Sequence, residues 1–494
     1  MNNPLNNSAC TAKGGSGCNT VYHQNQRHII RACRCHERNS AGVMRGRRVV
    51  ASVKTRFGTD GIRGRIPEEL CAEQTLRIGA AIAEQFGGKK GGRCRVVLGH
   101  DPRSSSGMLE AAVTAGLCAA GAEVERVGVM PTPGVAWLTR QHEADGGIVI
   151  SASHNTAEYN GIKCFDAQGY KLSDVQEREL EERIERGYEK LSQIGRVREL
   201  QQNPMREYTD YLAGCVSREL SGLRVVFDCA NGAASATIAR LIRCLDLRAD
   251  VIGYYPDGEN INQNCGSTDL EQLREMMRSH SYDIGFAFDG DADRCVAVDE
   301  MGEVLDGDVV LGALAQQWKQ EHPQQAGCVT TTVLSNTGLQ LFLQELGIRV
   351  VHTDVGDRQV MQAMRENGSW IGGEPSGHII VREYSTTGDG QLTAIRLMEW
   401  LVTSGMRASD LQSQWKPVPQ AARTVTVPAG KGAEIATSED VEQAVAAWQE
   451  RLGEGRILVR PSGTEAVIRV MAECPDVALA EQAAEHICRV ICHK

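Results

Sequence analysis

From about residue 95 the chain alternates short apolar runs with longer stretches whose apolar positions recur every three or four residues. Arg95–Leu98 and Glu123–Val129 read as buried strands around a helix over Gly107–Ala120, and Pro131-Thr132-Pro133 reads as a break. Gly147–Ile150 is a third strand and ends at Ser151-Ala-Ser153-His154-Asn155. The rhythm restarts at Leu223–Asp228, continues through a helix to about Leu245, and reaches a strand over Ile284–Phe288. That strand runs directly into Asp289-Gly-Asp291-Ala-Asp293-Arg294. A third unit has a strand at Cys328–Val333, a helix at Gly338–Leu346, and Trp370-Ile371 before Gly373-Glu374-Pro375-Ser376-Gly377-His378. Such a βαβ rhythm implies a parallel sheet with helices on both faces, and ligands bound beyond the carboxyl ends of its strands. From about Ala421 the pattern changes to α+β: strand Thr424–Val427, helix Val441–Leu452, strands Arg456–Val459 and Ala466–Ala472, and helix Ala478–Ile491. Arg460-Pro-Ser462-Gly463-Thr464-Glu465 falls between two of those strands.

At 494 residues the chain exceeds one ordinary core, so three or four domains are expected. No run approaches the roughly 20 apolar residues of a membrane helix, which argues against a membrane partner. Charge is uneven. Residues 1–48 carry eight Lys/Arg and a single acid, Glu37, whereas the remainder carries 45 basic and 62 acidic residues. That acidic body argues against nonspecific nucleic-acid binding, which needs clustered cations. The first fifty residues lack an apolar secretory core. Their composition fits a disordered extension, or an upstream start before a body beginning near Met44, better than a transit peptide. Seventeen scattered cysteines suggest reduced thiols and a cytoplasmic location. Cys33-Arg-Cys35-His36 and Cys488…Cys492-His493 lack a matching second pair at zinc spacing.

Ser153 lies in a polar loop and is a candidate nucleophile, with His154 and Lys163 as nearby basic or cationic groups. A serine in such a turn otherwise makes only local hydrogen bonds to the backbone. Asp289, Asp291 and Asp293 alternate, and in an extended backbone all three side chains point one way, a ligand set for a hard divalent cation. The competing reading is an Asp/Gly turn that caps the next strand. Arg460, Ser462, Gly463 and Thr464 together are the parts of a phosphate cradle. Glu374 and Ser376 suit vicinal sugar hydroxyls, and His378 suits proton transfer or phosphate contact. There is no P-loop and no dinucleotide fingerprint after a strand.

The order FGTDGIRG (Phe57–Gly64), SASHN, DGDADR, GEPSGH and RPSGTE resembles the α-D-phosphohexomutase superfamily, and most closely its phosphoglucosamine mutase branch. The resemblance covers roughly residues 54–494. It implies three successive α/β domains with mostly parallel or mixed sheets and a smaller α+β domain around a central cleft, at 51–203, 204–304, 305–417 and 418–494. It also implies that glucosamine 6-phosphate and glucosamine 1-phosphate are interconverted, toward UDP-N-acetylglucosamine. The route is a phosphoserine at Ser153 and a 1,6-bisphosphate intermediate. One Mg²⁺ is held by Asp289, Asp291, Asp293 and Ser153, and glucosamine or glucose 1,6-bisphosphate serves as activator. Lys163 becomes the general acid/base, assisted by Arg63 and His378. Arg63 and Arg103 serve the reacting phosphate, His154 binds substrate, Glu374 and Ser376 meet the sugar, and the Arg460 loop holds the distal phosphate. The partner is a small hexosamine phosphate, and the enzyme is a monomer or homodimer. Thr156 stands where the family usually has proline, which leaves the serine loop less constrained. Pro375 matches neither the glucosamine nor the mannose/glucose pattern, so the rival reading is the same mechanism on mannose or glucose phosphates.

Overall fold

The computed structural model describes residues 56–58, 60–87, 93–187, 194–198, 200, 202–462 and 466–493. The basic extension therefore lies outside the described residues. Four sheets follow one another along the chain. The first has six strands, ordered Ile62–Arg65, Tyr159–Asp166, Gly146–Ile150, Arg95–His100, Glu123–Val129, Arg196–Arg198. The second has five, with Ile284–Phe288 between Cys295–Asp299 and Arg224–Asp228. The third has four, with Gly327–Thr332 between Ile348–Thr353 and Ile371–Gly373. The last is a three-stranded antiparallel sheet of Gln420–Thr426, Val467–Glu473 and Arg456–Pro461.

The sheets of the first three units are mixed rather than parallel throughout, and in each one an antiparallel pairing lies where a motif is. Gly146–Ile150 pairs in parallel with Arg95–His100 but antiparallel with Tyr159–Asp166. Ile284–Phe288 is parallel to Arg224–Asp228 and antiparallel to Cys295–Asp299. Ile371–Gly373 is parallel to Gly327–Thr332 and antiparallel to Ile379–Val381. In each case the link carrying the motif is too short for a crossover helix, so the chain can only turn back on itself. The Arg460 motif likewise joins two antiparallel strands. The serine, aspartate and Glu374 motifs are thus tight reversals between antiparallel strands.

Rigid support comes from strands buried on both faces. Gly146–Ile150 and Ile284–Phe288 are buried at every position, as apolar runs covered by helices require. One continuous apolar core runs through the first three units, from Val97 and Phe165 through Phe227, Phe286 and Phe288 to Trp400 and Leu411. The last unit has its own core, built on Val441, Trp448, Ile468, Ala483 and Ile487.

One local expectation fails for a definable reason. Pro131-Thr-Pro133 does not end regular structure but starts a helix, Thr132–Gln141. Proline is tolerated in a first turn, where its missing N–H would have no partner anyway. At the domain boundary expected near 304–305, Val304–Leu305 adds an edge strand to the second sheet, and Asp306 caps helix Gly307–Glu321 through the amides of Asp308 and Val309. No helix among the described residues is long and apolar enough to cross a membrane. The described cysteines are all free thiols.

Candidate active site

Ser153 sits just beyond strand Gly146–Ile150, buried, in a left-handed backbone conformation with φ 53°. Its Oγ donates to Asp289 Oδ2 at 2.6 Å, and His154 Nδ1 lies 3.2 Å away. Ser151 is equally buried, but its Oγ points the other way, donating to Asp101 Oδ2 at 2.6 Å. Of the two serines, only Ser153 presents its hydroxyl to the acidic loop. His154 is uncharged at neutral pH: burial, with Arg294 and Arg63 nearby, pushes its pKa down to about 4.

Asp289, Asp291 and Asp293 converge so that one oxygen of each lies within 4.8 Å of the others. They do not achieve this by alternation along an extended strand. Residues 289–294 form a turn with Ala292 in the left-handed region (φ 58°), and the turn brings the carboxylates together. Burial and repulsion from Asp293 and Asp291 raise the Asp289 pKa well above the carboxylate range. Asp291 Oδ1 and Asp293 Oδ1 are buried without a hydrogen-bond partner. Buried oxygens in that state are costly. An oxygen-seeking divalent cation satisfies both, so the donor set fits a metal such as Mg²⁺. Asp291 Oδ2 is oriented by Thr132 Oγ1 at 2.5 Å, and the Thr132 amide donates to the Asp291 carbonyl at 2.9 Å. This is the role of the helix the sequence concealed.

Lys163 lies on the returning strand Tyr159–Asp166, with Nζ 2.7 Å from Asp291 Oδ2, 2.7 Å from Asp60 Oδ2 and 3.3 Å from Asp293 Oδ2. Burial opposes its charge, but Asp291, Asp293 and Asp60 outweigh that and hold its pKa well above the lysine value. An ammonium held among three carboxylates is placed to donate a proton, the acid half of the general acid/base role expected for Lys163. Asp60 also takes hydrogen bonds from Arg63 and Lys171, and Lys171 in turn pairs with Asp357. A chain of alternating charge therefore runs Asp357–Lys171–Asp60–Lys163–Asp291, tying the first three units together. Asp60, Lys171 and Asp357 were not singled out from the sequence. Asp60 lies within the FGTDGIRG motif and was the one of the three within reach.

Arg63 also donates to Asn155 Oδ1 at 3.1 Å, which keeps it on the serine loop. Arg103 must be corrected. It is buried and does not face the cleft. Its Nε donates to Asp101 Oδ2 at 2.8 Å, and its other nitrogens donate to the carbonyls of Ser153, Asn155 and Thr156. It braces the loop from behind, so the loop is held even with Thr156 in place of proline. Arg294 faces the acidic site instead, its backbone amide donating to Asp289 Oδ1 at 3.2 Å.

From the third unit, His378 is buried with Nδ1 3.7 Å from Asp293 Oδ1. Burial disfavours its charge, Asp293 and Asp357 favour it, and the net is upward. The Gly388 amide donates to Nε2 at 3.0 Å, so the neutral ring carries its proton on Nδ1, toward Asp293. Gly388 can only be glycine here, because a Cβ would stand 2.5 Å from His378 Cε1. Glu374 is buried, with Oε1 accepting from the Gly356 amide at 3.1 Å, while Ser376 is exposed. Glu374 acts electrostatically on both Arg294 and Arg460, which brings the second, third and fourth units to one place. In the last unit Arg460 is half-buried, and its strand register sets it opposite Arg469. Like charges across an antiparallel pair repel, and an anionic ligand relieves them. The Ser462 amide donates to the Val467 carbonyl at 2.9 Å, closing the turn. Gly463 and Thr464 lie outside the described residues.

Family models agree with this geometry. Those for phosphoglucomutase/phosphomannomutase domains I, II and III match residues 54–191, 206–302 and 306–418, and the C-terminal domain model matches 424–490. The phosphoglucosamine mutase of Moorella thermoacetica is 45% identical over 426 residues, 85% of this chain and 95% of that protein. That of Ruegeria pomeroyi is 44% identical over 444 residues, 88% and 98% of the two chains. The chain belongs to the phosphoglucosamine mutase family. The fold is shared more widely. A phosphoglucomutase/phosphomannomutase family protein of Burkholderia thailandensis superposes with TM-score 0.75 at 23% identity, covering 89% of this chain and 97% of that one. The N-acetylphosphoglucosamine mutase of Aspergillus fumigatus, solved with GlcNAc-6P and magnesium, gives 0.64 at 17% identity, covering 88% and 95%.

Proposed function

We propose that this phosphoglucosamine mutase family member interconverts glucosamine 6-phosphate and glucosamine 1-phosphate through a phosphoserine at Ser153. One observation carries the mechanism. A single serine hydroxyl is aimed at three converging carboxylates, two of which have buried oxygens lacking a partner. In the forward step the Ser153 Oγ–P bond breaks as the free hydroxyl of the substrate bonds to phosphorus and gives up its proton, and the departing Oγ takes up a proton, leaving the 1,6-bisphosphate and a free serine. The intermediate turns end for end. Ser153 Oγ then attacks its other phosphate and the sugar oxygen leaves. Asp289 Oδ2 and the neutral His154 Nδ1 are the two acceptors beside Oγ for the proton released on that attack. Mg²⁺ held by Asp289, Asp291, Asp293 and the Ser153 oxygen supplies neutralising charge for the transferring group. Lys163 donates from its ammonium, while Arg63 and Arg294 flank the reacting phosphate. His378 offers its Nδ1 proton, Glu374 and Ser376 meet the sugar hydroxyls, and Arg460 with Ser462, Gly463 and Thr464 grips the distal phosphate. A grip on phosphate alone serves either orientation of the intermediate. A sugar 1,6-bisphosphate, of glucosamine or of glucose, is the activator that charges an unphosphorylated enzyme. We take the protein as a cytoplasmic monomer or homodimer of four domains, at 51–203, 204–304, 305–417 and 418–494.

Peptide mapping of the purified protein tests this reading. Phosphate is expected on Ser153 and passes to added glucosamine 6-phosphate, and Ser153→Ala is inactive. Phosphate confined to Ser151, with full activity in Ser153→Ala, overturns it.

A further inference from the structure

Left-handed backbone is a region that residues other than Gly, Asn and Asp seldom occupy, so the φ of 53° at Ser153 must be imposed by its surroundings. Both peptide groups of Ser153 lead back to one buried aspartate. The Ser153 amide donates to Ser151 Oγ at 3.0 Å, and that hydroxyl donates to Asp101 Oδ2 at 2.6 Å. Asp101 Oδ2 also accepts Arg103 Nε at 2.8 Å, and Arg103 Nη2 donates to the Ser153 carbonyl at 3.0 Å. The ring Ser153–Ser151–Asp101–Arg103 is closed and wholly buried. Asp101 is itself fastened, its Oδ1 accepting from the Arg103 amide at 3.1 Å and from Ser106 Oγ at 3.0 Å.

A second hand reaches the same carbonyl from the unit that carries the acidic loop. Asn262 Nδ2 donates to the Ser153 and Asn155 carbonyls, both at 2.9 Å, and its own amide is anchored on the Ala230 carbonyl at 2.9 Å. Gly290, inside the acidic loop, packs against the same atoms: a Cβ there would lie 2.5 Å from the Ser153 carbonyl oxygen and 2.8 Å from Asn262 Nδ2. The nucleophile loop and the acidic loop are thus registered through one carbonyl group.

We infer that Asp101, Arg103, Ser151 and Asn262 are positioning residues that hold the phosphoserine in its left-handed conformation and register it against the aspartate loop across the boundary between the first two units. The inference rests on the reading of Ser153 as the phosphorylated residue. Arg103 supplies a planar fork with enough donors for three consecutive-turn carbonyls and Asp101 together, which lysine cannot match. None of the four residues needs to touch sugar or phosphate. Their effect is on where Oγ stands, and so on turnover more than on substrate binding.

Asn262→Ala and Ser151→Ala test this, each measured with a matched melting curve. Arg103→Met accompanies them, its kcat normalised to the folded fraction that its melting curve gives. Asn262→Ala is expected to fold and bind substrate with KM within about threefold of wild type, while kcat falls about 10- to 100-fold, the scale of an ångström-sized misplacement. Recharging of the unphosphorylated variant by glucose 1,6-bisphosphate slows by a similar factor. The double variant loses less than the product of the single losses, because both changes release the same residue. Variants with kcat within about twofold of wild type, or losses that simply track the folded fraction, overturn the inference. The two readings fail differently: wild-type protein without phosphate on Ser153 removes the premise, whereas phosphorylated variants that turn over normally remove only the positioning role.

Discussion

Replacing Asp291 with asparagine separates a metal ligand from a structural turn, because the structure predicts opposite effects on folding and on catalysis. In the metal-free protein Asp291 gains from Lys163 at 2.7 Å, a pair worth about 6 kcal/mol at an effective dielectric of about 20. It also faces Asp289 and Asp293, whose nearest oxygens lie no more than 4.8 Å away: Asp293 repels it by at least about 3.5 kcal/mol on the same scale, and Asp289, held toward its neutral form, repels it less. The attraction is thus offset by more than half. Asparagine keeps an oxygen for Thr132 Oγ1, and Lys163 retains Asp60 and Asp293. Metal-free Asp291→Asn should therefore melt within a few degrees of metal-free wild type. Catalysis should behave otherwise. One charged ligand is lost from the group that stabilises transferring phosphate, a change that costs about 100- to 1,000-fold in kcat at comparable electrostatic sites. KM should move little, since the proposed grip of Arg460 on the distal phosphate is left intact. The assay is a magnesium titration of glucosamine 1-phosphate formation, with kcat and KM for both proteins, beside melting curves in EDTA. Near-wild-type kcat, or wild-type activity indifferent to EDTA, would refute the reasoning and leave the loop as a structural turn.

Three further outcomes follow from other parts of the molecule. On the proposed role of Arg460, Arg460→Met removes a charge-assisted contact to the distal phosphate, so steady-state kinetics should find KM raised about 10- to 100-fold with kcat less affected. Burial pushes the Asp308 pKa up to about 7, against the Asn336 amide that hydrogen-bonds it at 2.7 Å. The folded protein then holds that proton more tightly than the unfolded chain, so stability contributed by Asp308 falls as pH rises from about 4, the unfolded value, through about 7. Denaturant titrations should find wild type losing on the order of 2–4 kcal/mol relative to Asp308→Asn across that window, and a pH-independent difference would contradict it. Deleting residues 1–48 should leave activity unchanged, because the first domain match starts at residue 54, and turnover of the truncated protein checks this.

The parts of the site that could be read from the sequence are those in which chemistry and fold use the same residues. Ser153, the three aspartates and the Arg460 turn stand out because polar residues interrupt apolar strands there, and a strand that stops at a polar loop is visible in one dimension. The reversals were also legible in principle: eight residues between Ile150 and Tyr159 leave no room for a crossover. What was hidden depends on contacts between distant segments. Helix Thr132–Gln141 begins inside a Pro-Thr-Pro run that reads as a break, although Pro near a helix start is permitted. Lys171 and Asp357 acquire meaning only when the first and third units bring them together around Asp60. Arg103 carries the same formal charge as Arg63, and no pattern of neighbours reveals that one is buried behind the loop while the other reaches Asn155 beside it. The aspartates converge through a left-handed Ala292, which an alternating pattern does not announce.

The central claim is that this scaffold transfers phosphate between Ser153 and a glucosamine phosphate. The most direct measurement is kcat/KM for the phosphates of glucosamine, glucose and mannose, taken with Mg²⁺ and glucose 1,6-bisphosphate, alongside Ser153→Ala. The account predicts that glucosamine phosphate is the preferred substrate and that all three activities vanish in the variant. Preference for mannose or glucose phosphate would contradict the substrate assignment, and activity surviving in Ser153→Ala would contradict the phosphoserine mechanism itself.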